Sequence, residues 1–152
     1  MEKVALSQYT ALYEKNHHKS KVSSCGLFVS QRYPFIGATP DGVVTCSCCG
    51  KGLIEIKCSF SYQHLTPTEV ATQHTYYNLY LEGNDVKLKS DTKWYTQIQT
   101  QLGVTELQWC DFVFFTRKGI SIDRIGFNQE YFEKCVQSAK SFFFNFLKSK
   151  LQ

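Results

Sequence analysis

Hydrophobic and polar positions in the first part of the chain predict a helix followed by strands. Apolar residues recur at roughly helical spacing over residues 2–17, which predicts a helix that ends in a polar segment. Residues 21–30 are rich in apolar side chains and predict a strand. Two further apolar runs, 42–46 and 53–58, flank a tip of small residues and glycine at 46–52. Together they predict a β-hairpin.

The remainder of the chain continues as a mixture of helices and strands. The pattern predicts, in order, a helix start at 66–69, a hairpin over 77–89, a helix capped by Asp91 and running to about 102, strands over 109–116 and 120–125, and a helix from near Asn128. We expect the phenylalanines of this last helix, at 142–144 and 146, to lie mostly in the core. The order of elements predicts an α/β domain in which helices flank a mixed central sheet.

Length and composition favour one globular domain spanning residues 1–152. Hydrophobic residues make up 43% of the chain and charged residues 20%, a balance typical of a protein with a buried core. The apolar runs are too short to cross a membrane, and Met1 precedes a mixed polar segment rather than a secretory signal. Seven cysteines, an odd number, argue against a secreted disulfide scaffold. We therefore expect an intracellular protein with reduced thiols, in the nucleus or the cytoplasm, and no membrane partner.

The charge balance permits a polyanionic partner without requiring one. The formal net charge is +4, from 17 basic and 13 acidic residues. Basic side chains supply most of the non-specific affinity of proteins for DNA, because they contact the phosphate backbone. The candidates for such contacts are Lys21, Arg32, Lys51, Arg117 and Lys118.

Two acids and a lysine form the most informative constellation in the sequence. Asp41 lies in a Thr-Pro-Asp-Gly segment, and Glu55 and Lys57 follow on the returning strand of the predicted hairpin. The hairpin would bring Asp41 and Glu55 together, and two carboxylates can hold Mg²⁺ or Mn²⁺, with the backbone carbonyl of Ile56 as a further oxygen ligand. Lys57 is two residues from Glu55 and would share its face of the strand. There it could orient or deprotonate an attacking water, or offset the charge of a phosphorane.

Three segments that contain these residues resemble the YqaJ-like viral recombinase family. They are residues 37–44 (Gly-Ala-Thr-Pro-Asp-Gly-Val-Val), 53–58 (Leu-Ile-Glu-Ile-Lys-Cys) and 94–99 (Trp-Tyr-Thr-Gln-Ile-Gln). Residues 25–30 and 33–35 are also similar to a lead-in found in metazoan or transposon-borne members. The family includes the bacteriophage lambda exonuclease and belongs to the restriction-endonuclease-like PD-(D/E)XK superfamily.

The resemblance implies an αβββαβ core with flanking helices and a Mg²⁺-dependent DNA nuclease that acts in recombination or DNA processing. On this resemblance we expect an exonuclease that acts on double-stranded DNA. It implies Asp41 and Glu55 as metal ligands and Lys57 as the catalytic lysine. Gln97 matches the family's active-site glutamine, close to the metal and the nucleophilic water. Glu2 matches a glutamate on the first helix of the family and is a further candidate metal ligand. Ring-shaped trimers occur in the family, which makes a homo-oligomer a further expectation.

Other interpretations stay open from the sequence. The same fold could serve as a catalytically inactive DNA-binding or protein-interaction module. Cys46 and Cys49 have the spacing of half a zinc knuckle, but a second pair at that spacing is missing. Cys25, Cys58 or the His17-His18 pair could complete a site in space, giving a zinc-stabilised domain, although we favour free thiols at a hairpin tip. On the third helix, Gln99 and Gln101 are expected to be solvated side chains.

Overall fold

The computed structural model describes residues 1–151. Its elements are, in chain order, α1 (Glu2–Asn16), β1 (Lys21–Ser23), β2 (Phe28–Val29), β3 (Gly37–Ala38), β4 (Gly42–Cys46), β5 (Gly50–Cys58), α2 (Pro67–Gln73), β6 (Leu79–Glu82), β7 (Asp85–Leu88), α3 (Lys93–Thr105), β8 (Trp109–Thr116), β9 (Gly119–Gly126) and α4 (Gln129–Leu151). The predicted α/β fold with a mixed sheet and flanking helices is confirmed. The αβββαβ order that the family resemblance implied corresponds to α1, β1, β4, β5, α3 and β8.

The central sheet has the strand order β1-β4-β5-β8-β9. Its pairs β1–β4, β4–β5 and β8–β9 are antiparallel, whereas β5 and β8 are parallel. The chain between these two parallel strands contains α2, the β6–β7 hairpin and α3. This crossover returns the chain across the sheet, so that β8 begins at the same end of the sheet as β5 and runs in the same direction.

Successive side chains of the central strands point to opposite faces, and both faces are covered. Leu53 and Phe112 face a core that includes side chains of α2, the β6–β7 hairpin and α3. Ile54 and Val113, the next residues along, face a second core built around Ala5, Tyr9 and Tyr13 of α1. Because both faces are buried, most residues from Leu53 to Ile56 of β5 and along β8 are apolar, as expected for central strands. A buried charged residue on either strand, such as Glu55 or Asp111, is therefore unusual.

A buried polar network attaches α1 to the sheet. The Tyr9 hydroxyl donates to Asp111 Oδ2 at 2.7 Å, and Arg124 Nε donates to Asp111 Oδ1 at 2.8 Å. Asp111 is buried, whereas the Arg124 side chain remains 36% exposed. Burial raises the pKa of Tyr9, and the neighbouring Asp111 charge raises it further. Tyr9 therefore acts as a neutral donor to the ion pair.

Several predicted bounds were wrong in ways that reflect tertiary contacts. The strand expected over 21–30 divides into β1 and β2, because Phe28 pairs with Ala38 in a small separate sheet. The cap of α3 is Thr92, not Asp91: Thr92 Oγ1 accepts a hydrogen bond from the Tyr95 N–H at 3.2 Å. The returning strand of the hairpin begins at Gly50, not Leu53.

The last helix also differs from expectation. The phenylalanines at 142–144 and 146 are exposed rather than mostly in the core. The helix packs through its first turns, where Phe132 and Val136 are buried, and the residues of its later turns, 140–151, are exposed. Within residues 1–151, no helix combines the length and apolarity needed to cross a membrane.

The contact between α3 and α4 gives a testable prediction about packing. A Cβ added at Gly103 would overlap the ring of Phe132. Alanine normally favours a helix over glycine by about 1 kcal/mol, but overpacking costs about 1–3 kcal/mol. We expect Gly103→Ala to lower the free energy of unfolding by about 1 kcal/mol, measured by urea denaturation. Gly126→Ala, where open space surrounds the added Cβ, is the control and should change stability by less than about 0.5 kcal/mol.

Candidate active site

The β4–β5 hairpin holds Asp41 beside the middle of β5. Gly42 pairs with Ile54, and the Asp41 N–H donates to the Ile54 carbonyl at 3.1 Å. The Asp41 side chain then accepts the Ile56 N–H on Oδ2 at 2.7 Å. Asp41 thus continues the hydrogen-bonding pattern of the hairpin with its carboxylate, at the point where β4 begins.

Glu55 and Lys57 point to the face of the sheet that α3 covers, and two glutamines of α3 meet them there. Lys57 Nζ lies 3.3 Å from Glu55 Oε1 and donates to Gln97 Oε1 at 3.0 Å. Gln101 Nε2 donates to Glu55 Oε2 at 3.0 Å. Gln97 and Gln101 are four residues apart, so they lie on one face of the helix. The predicted residues Asp41, Glu55, Lys57 and Gln97 are therefore gathered by the hairpin and α3.

Burial perturbs the carboxylate at the centre of this group. Glu55 is only 2% exposed, and this burial raises its pKa above the ordinary value, with a further increase from the charge of Asp41. The hydrogen bond from Gln101 and the charge of Lys57 oppose the increase. Without a cation, two nearby carboxylates repel each other, and the more deeply buried carboxylate has the less favourable ionised form.

The oxygen atoms at this site fit a hard divalent cation. The Ile56 N–H points toward Asp41, and since the N–H and C=O of a strand residue point to the same side, the Ile56 carbonyl also faces that side. The amide oxygen of Gln101 is buried and has no hydrogen-bond partner among the described residues. Mg²⁺ usually retains several waters, which need acceptors of this kind. Asp41, Glu55 and the Ile56 carbonyl could therefore hold Mg²⁺ or Mn²⁺.

Glu2 is less closely associated with the site. It lies in the first turn of α1, and its charge, like that of Asp41, raises the pKa of Cys58, although burial is the main cause. Glu2, Asp41 and Cys58 therefore lie toward the same end of the sheet. Glu2, Asp41 and Glu55 do not, however, form a compact three-ligand group within residues 1–151.

The basic candidates for DNA contacts are all exposed but lie in different places. Arg117 and Lys118 form the turn after β8, and Phe114 of β8 pairs with Lys57. This turn therefore lies at the same end of the strands as the carboxylates. Lys21 and Lys51 both pair with Thr45 of β4, toward the opposite end of the strands. Arg32 lies in the β2–β3 loop, with its guanidinium 5.3 Å from the centre of the Tyr33 ring.

The structure corrects the expectation that Gln99 and Gln101 are solvated. Gln99 is buried, donates to the Gly126 carbonyl at 2.9 Å and accepts the Asn128 N–H at 2.8 Å, so it joins α3 to the start of α4. Gln101 is also buried and contacts Glu55. Its spacing of four residues from Gln97 is the signal in the sequence that could have identified it.

The cysteines of the hairpin tip form a second group of potential ligands. Cys46 and Cys49 lie near the Cys48 thiol and the His17 ring, and the potential ligand atoms of these four residues all lie within 4.8 Å of one another. Of the residues considered as completing a zinc site, the structure thus brings in His17. Cys25 instead contacts the Pro40 carbonyl, with its sulfur 3.2 Å from the oxygen.

Comparisons with known proteins give both a family and a similar fold. The family model described as the YqaJ-like viral recombinase domain matches residues 1–108. The crystal structure of LHK-Exo in complex with dAMP has 25% sequence identity and a TM-score of 0.68, and the match covers 98% of this chain and 65% of that chain. Another structure, of the alkaline exonuclease LHK-Exo from Laribacter hongkongensis, has 25% identity and a TM-score of 0.67, covering 98% and 66%. This chain therefore spans slightly less than two thirds of those chains. A comparison with curated proteins found no match.

The buried state of Glu55 predicts how stability depends on pH and metal. Because its pKa is raised in the folded state, ionised Glu55 opposes folding, and its contribution to stability falls as pH rises above the ordinary carboxyl range. At mildly alkaline pH in EDTA, we expect Glu55→Gln to have a higher melting temperature than the parent chain. The difference should disappear in acid, where the parent carboxyl is protonated.

Scanning calorimetry with and without Mg²⁺ completes this test. Mg²⁺ should raise the melting temperature of the parent but not of Glu55→Gln, because binding to the folded state stabilises it. Glu14→Gln removes an exposed glutamate of α1 and serves as the control. We expect its melting temperature to respond to pH and to Mg²⁺ as that of the parent does. A Glu55→Gln variant that is less stable than the parent at every pH would contradict the assigned effect of burial.

Proposed function

This chain belongs to the YqaJ-like viral recombinase family, and we propose that it hydrolyses DNA phosphodiester bonds with the help of Mg²⁺ or Mn²⁺. The proposed substrate is double-stranded DNA, and the proposed role lies in DNA recombination or processing. Asp41 and Glu55 would hold the metal ion, with the Ile56 carbonyl as a further ligand and Glu2 as an additional candidate. Lys57 and Gln97 would act on the attacking water.

The observation that carries the proposal is the position of the Lys57 ammonium. It lies 3.3 Å from Glu55 Oε1 and 3.0 Å from Gln97 Oε1, between a carboxylate from β5 and an amide from α3. An ammonium group only donates hydrogen bonds, so the amide oxygen of Gln97 must face it. An ion pair on an exposed strand would not need a buried glutamate or a helix amide. A carboxylate, an ammonium and an amide held together in this way support a catalytic site.

The chemistry follows from what each side chain can hold in place. A divalent cation would polarise the phosphate and offset the charge that develops on its oxygens. Lys57 remains 24% exposed at its side chain, so its ammonium can reach solvent and substrate. From there it would orient the attacking water or stabilise charge on the phosphorus oxygens. Gln97 would fix the ammonium, and Gln101 would fix the Glu55 carboxylate through its hydrogen bond.

The similar structures favour exonuclease activity over endonuclease activity. LHK-Exo is described as an alkaline exonuclease, and one of its structures contains dAMP, a mononucleotide of the kind that stepwise digestion of DNA releases. The fold of this chain matches those structures over nearly its whole length. We therefore propose that this chain also degrades DNA from an end.

Digestion of linear and circular duplex DNA tests the activity. We expect loss of the linear DNA with Mg²⁺ or Mn²⁺, no loss with EDTA, and survival of the covalently closed circle. Asp41→Ala removes a proposed metal ligand and Lys57→Ala removes the ammonium, so each should lower the rate by about 100-fold or more.

Lys51→Ala is the matched control for Lys57→Ala. Lys51 is an exposed lysine on the same strand, four residues before Glu55, and its replacement should leave the rate unchanged. Circular dichroism would verify that each variant is folded. A folded parent chain that binds duplex DNA but releases no nucleotides with either metal would instead support an inactive DNA-binding module.

The positions of the basic residues predict which of them contact the substrate. Arg117 and Lys118 follow β8 and lie about 10 Å beyond Lys57 along the strand direction. At that distance they could contact a phosphate of the same DNA molecule that Lys57 contacts. We expect the double variant Arg117→Ala/Lys118→Ala to bind duplex DNA more weakly and to reduce the salt dependence of binding by about two units of slope. Fluorescence anisotropy in EDTA would measure binding without cleavage.

The double variant Lys21→Ala/Lys51→Ala removes the same amount of charge from the opposite end of the strands and is the matched control. Its salt dependence should stay close to that of the parent chain. Equal losses of affinity in the two double variants would mean that overall charge, rather than the position of the β8–β9 turn, governs DNA binding.

A further inference from the structure

Four side chains at the tip of the β4–β5 hairpin converge on one point, away from the proposed active site. They are His17 at the end of α1 and Cys46, Cys48 and Cys49 of the hairpin, and we call them the Cys₃His cluster. His17 Nδ1 lies 3.9 Å from Cys46 Sγ, 3.2 Å from Cys48 Sγ and 3.5 Å from Cys49 Sγ. Cys48 Sγ lies 3.5 Å from Cys46 Sγ and 3.9 Å from Cys49 Sγ.

These distances match the edges of a tetrahedron around a zinc ion. With Zn–S bonds of about 2.3 Å and a Zn–N bond of about 2.0 Å, tetrahedral angles place sulfurs about 3.8 Å apart and each sulfur about 3.5 Å from the nitrogen. The five separations above lie between 3.2 and 3.9 Å. We propose that His17, Cys46, Cys48 and Cys49 bind one Zn²⁺ as a structural site.

The types of ligand favour zinc over the cation proposed for the active site. Three thiolates and an imidazole are soft or borderline ligands, which select Zn²⁺ over Mg²⁺ or Mn²⁺. Four protein ligands complete a tetrahedron and leave no position for substrate, as in structural zinc sites. The cluster is also remote from the carboxylates, because Cys46 and Asp41 are five residues apart along β4, about 16 Å in an extended strand.

Hydrogen bonds around the cluster are arranged to support thiolate ligands. The Cys49 N–H points at Cys46 Sγ, 3.2 Å away, and the Tyr13 hydroxyl lies 3.1 Å from the same sulfur. The Tyr13 ring stacks on the His17 ring, with the ring centres 3.9 Å apart, and so fixes its orientation. Surrounding groups that orient ligands in this way are typical of metal sites.

Charge near the cluster also favours a metal–thiolate centre. Zn²⁺ with three thiolates carries a net negative charge. The Arg124 guanidinium donates to the Tyr13 hydroxyl at 3.5 Å, and that hydroxyl lies 3.1 Å from Cys46 Sγ. Arg124 lies 3.7 Å from the centre of the Trp109 ring, whose Nε1 donates to the Cys49 carbonyl at 3.2 Å. A cation and a hydrogen bond to the Cys49 backbone thus lie beside the cluster on the side of β8 and β9.

Zinc at this position would join the end of α1 to the hairpin that carries Asp41 and Glu55. Without zinc, that connection rests on the contact between the Tyr13 hydroxyl and Cys46 Sγ and on Ser47, whose N–H and hydroxyl both donate to the His18 carbonyl, at 3.0 and 3.1 Å. Metal binding stabilises the folded state because the unfolded chain has no assembled site. The zinc site is independent of the proposed nuclease activity and would exist in an inactive binding module as well.

Metal analysis of the purified chain tests the proposal. The protein would be produced under reducing conditions, supplied with Zn²⁺ and dialysed, and its zinc measured by mass spectrometry. We expect about one zinc per chain in the parent and less than roughly a tenth of that in Cys48→Ser. Cys48 is the exposed member of the cluster, so its replacement disturbs packing least. Replacing zinc by Co²⁺ should give the absorption bands of a tetrahedral thiolate site.

Two matched variants locate the metal. Cys135→Ser removes a cysteine of α4 outside the cluster and should retain about one zinc, as should Asp41→Ala, which removes a ligand of the proposed catalytic metal. A folded parent chain without stoichiometric zinc would overturn the proposal, as would Cys48→Ser with full zinc content. If Cys48→Ser does not fold, the Co²⁺ spectrum of the parent decides, since absence of thiolate-to-cobalt bands refutes the site. A disulfide within 46–49 in the reduced preparation, found by peptide mapping, would also refute it.

Discussion

The register between β4 and β5 is the constraint on which the rest of the site depends. Pairing of Gly42 with Ile54 brings Asp41 next to the Ile56 N–H and sends the Glu55 and Lys57 side chains to the face beneath α3. A shift of one residue would exchange the two faces of β5. Glu55 would then enter the core against α1, and Ile54 would face the amides of α3. The apolar residues on both sides of Glu55 prevent this shift, because each is already buried on the opposite face.

Burying a carboxylate in a central strand carries a free-energy cost that the fold offsets locally. Glu55 receives a hydrogen bond from Gln101 and a charge interaction from Lys57. Its pKa is nevertheless raised, so these neighbours compensate only in part. Such incomplete compensation is expected where a site is built to bind a cation, because the cation supplies the remaining stabilisation. The same sheet contains a second buried acid, Asp111 on β8. Its carboxylate is paired without a metal, because Tyr9 and Arg124 both donate hydrogen bonds to it. The two acids thus differ in how fully their neighbours compensate their burial, and we propose a metal ion only beside Glu55.

Helix α1 connects the two metal-binding regions that we propose. Its first turn carries Glu2, its middle packs on the sheet through Tyr9 and Tyr13, and its end presents His17 to the hairpin tip. The Arg124 side chain takes part in this arrangement at two points, through Asp111 and through the Tyr13 hydroxyl. Movement of α1 would therefore affect both ends of the hairpin at once. A fixed helix keeps the proposed catalytic end of the sheet at a constant distance from the Cys₃His cluster.

The sequence by itself determined the elements whose character is local. β8 was predicted with the bounds it has, since it is mostly apolar and aromatic, and the β4–β5 hairpin followed from two apolar runs around a glycine-rich tip. Asp41, Glu55 and Lys57 could be assigned to one place because a hairpin and the period of two fix their relation. Gln97 followed only from the family resemblance, because nothing local distinguishes it from other helix glutamines.

Tertiary structure decided whatever depends on a partner distant in the chain. Gln101 is a site residue only because α3 crosses β5 at Glu55, 46 positions earlier, and residues 24–27 leave the sheet because β2 pairs elsewhere. The phenylalanines at 142–144 and 146 keep helical spacing, but no part of residues 1–151 buries them. His17 lies 31 positions from Cys48, so a spacing rule could not join them. Local pattern sets the periodicity of an element, whereas the packing of elements determines which of its side chains meet.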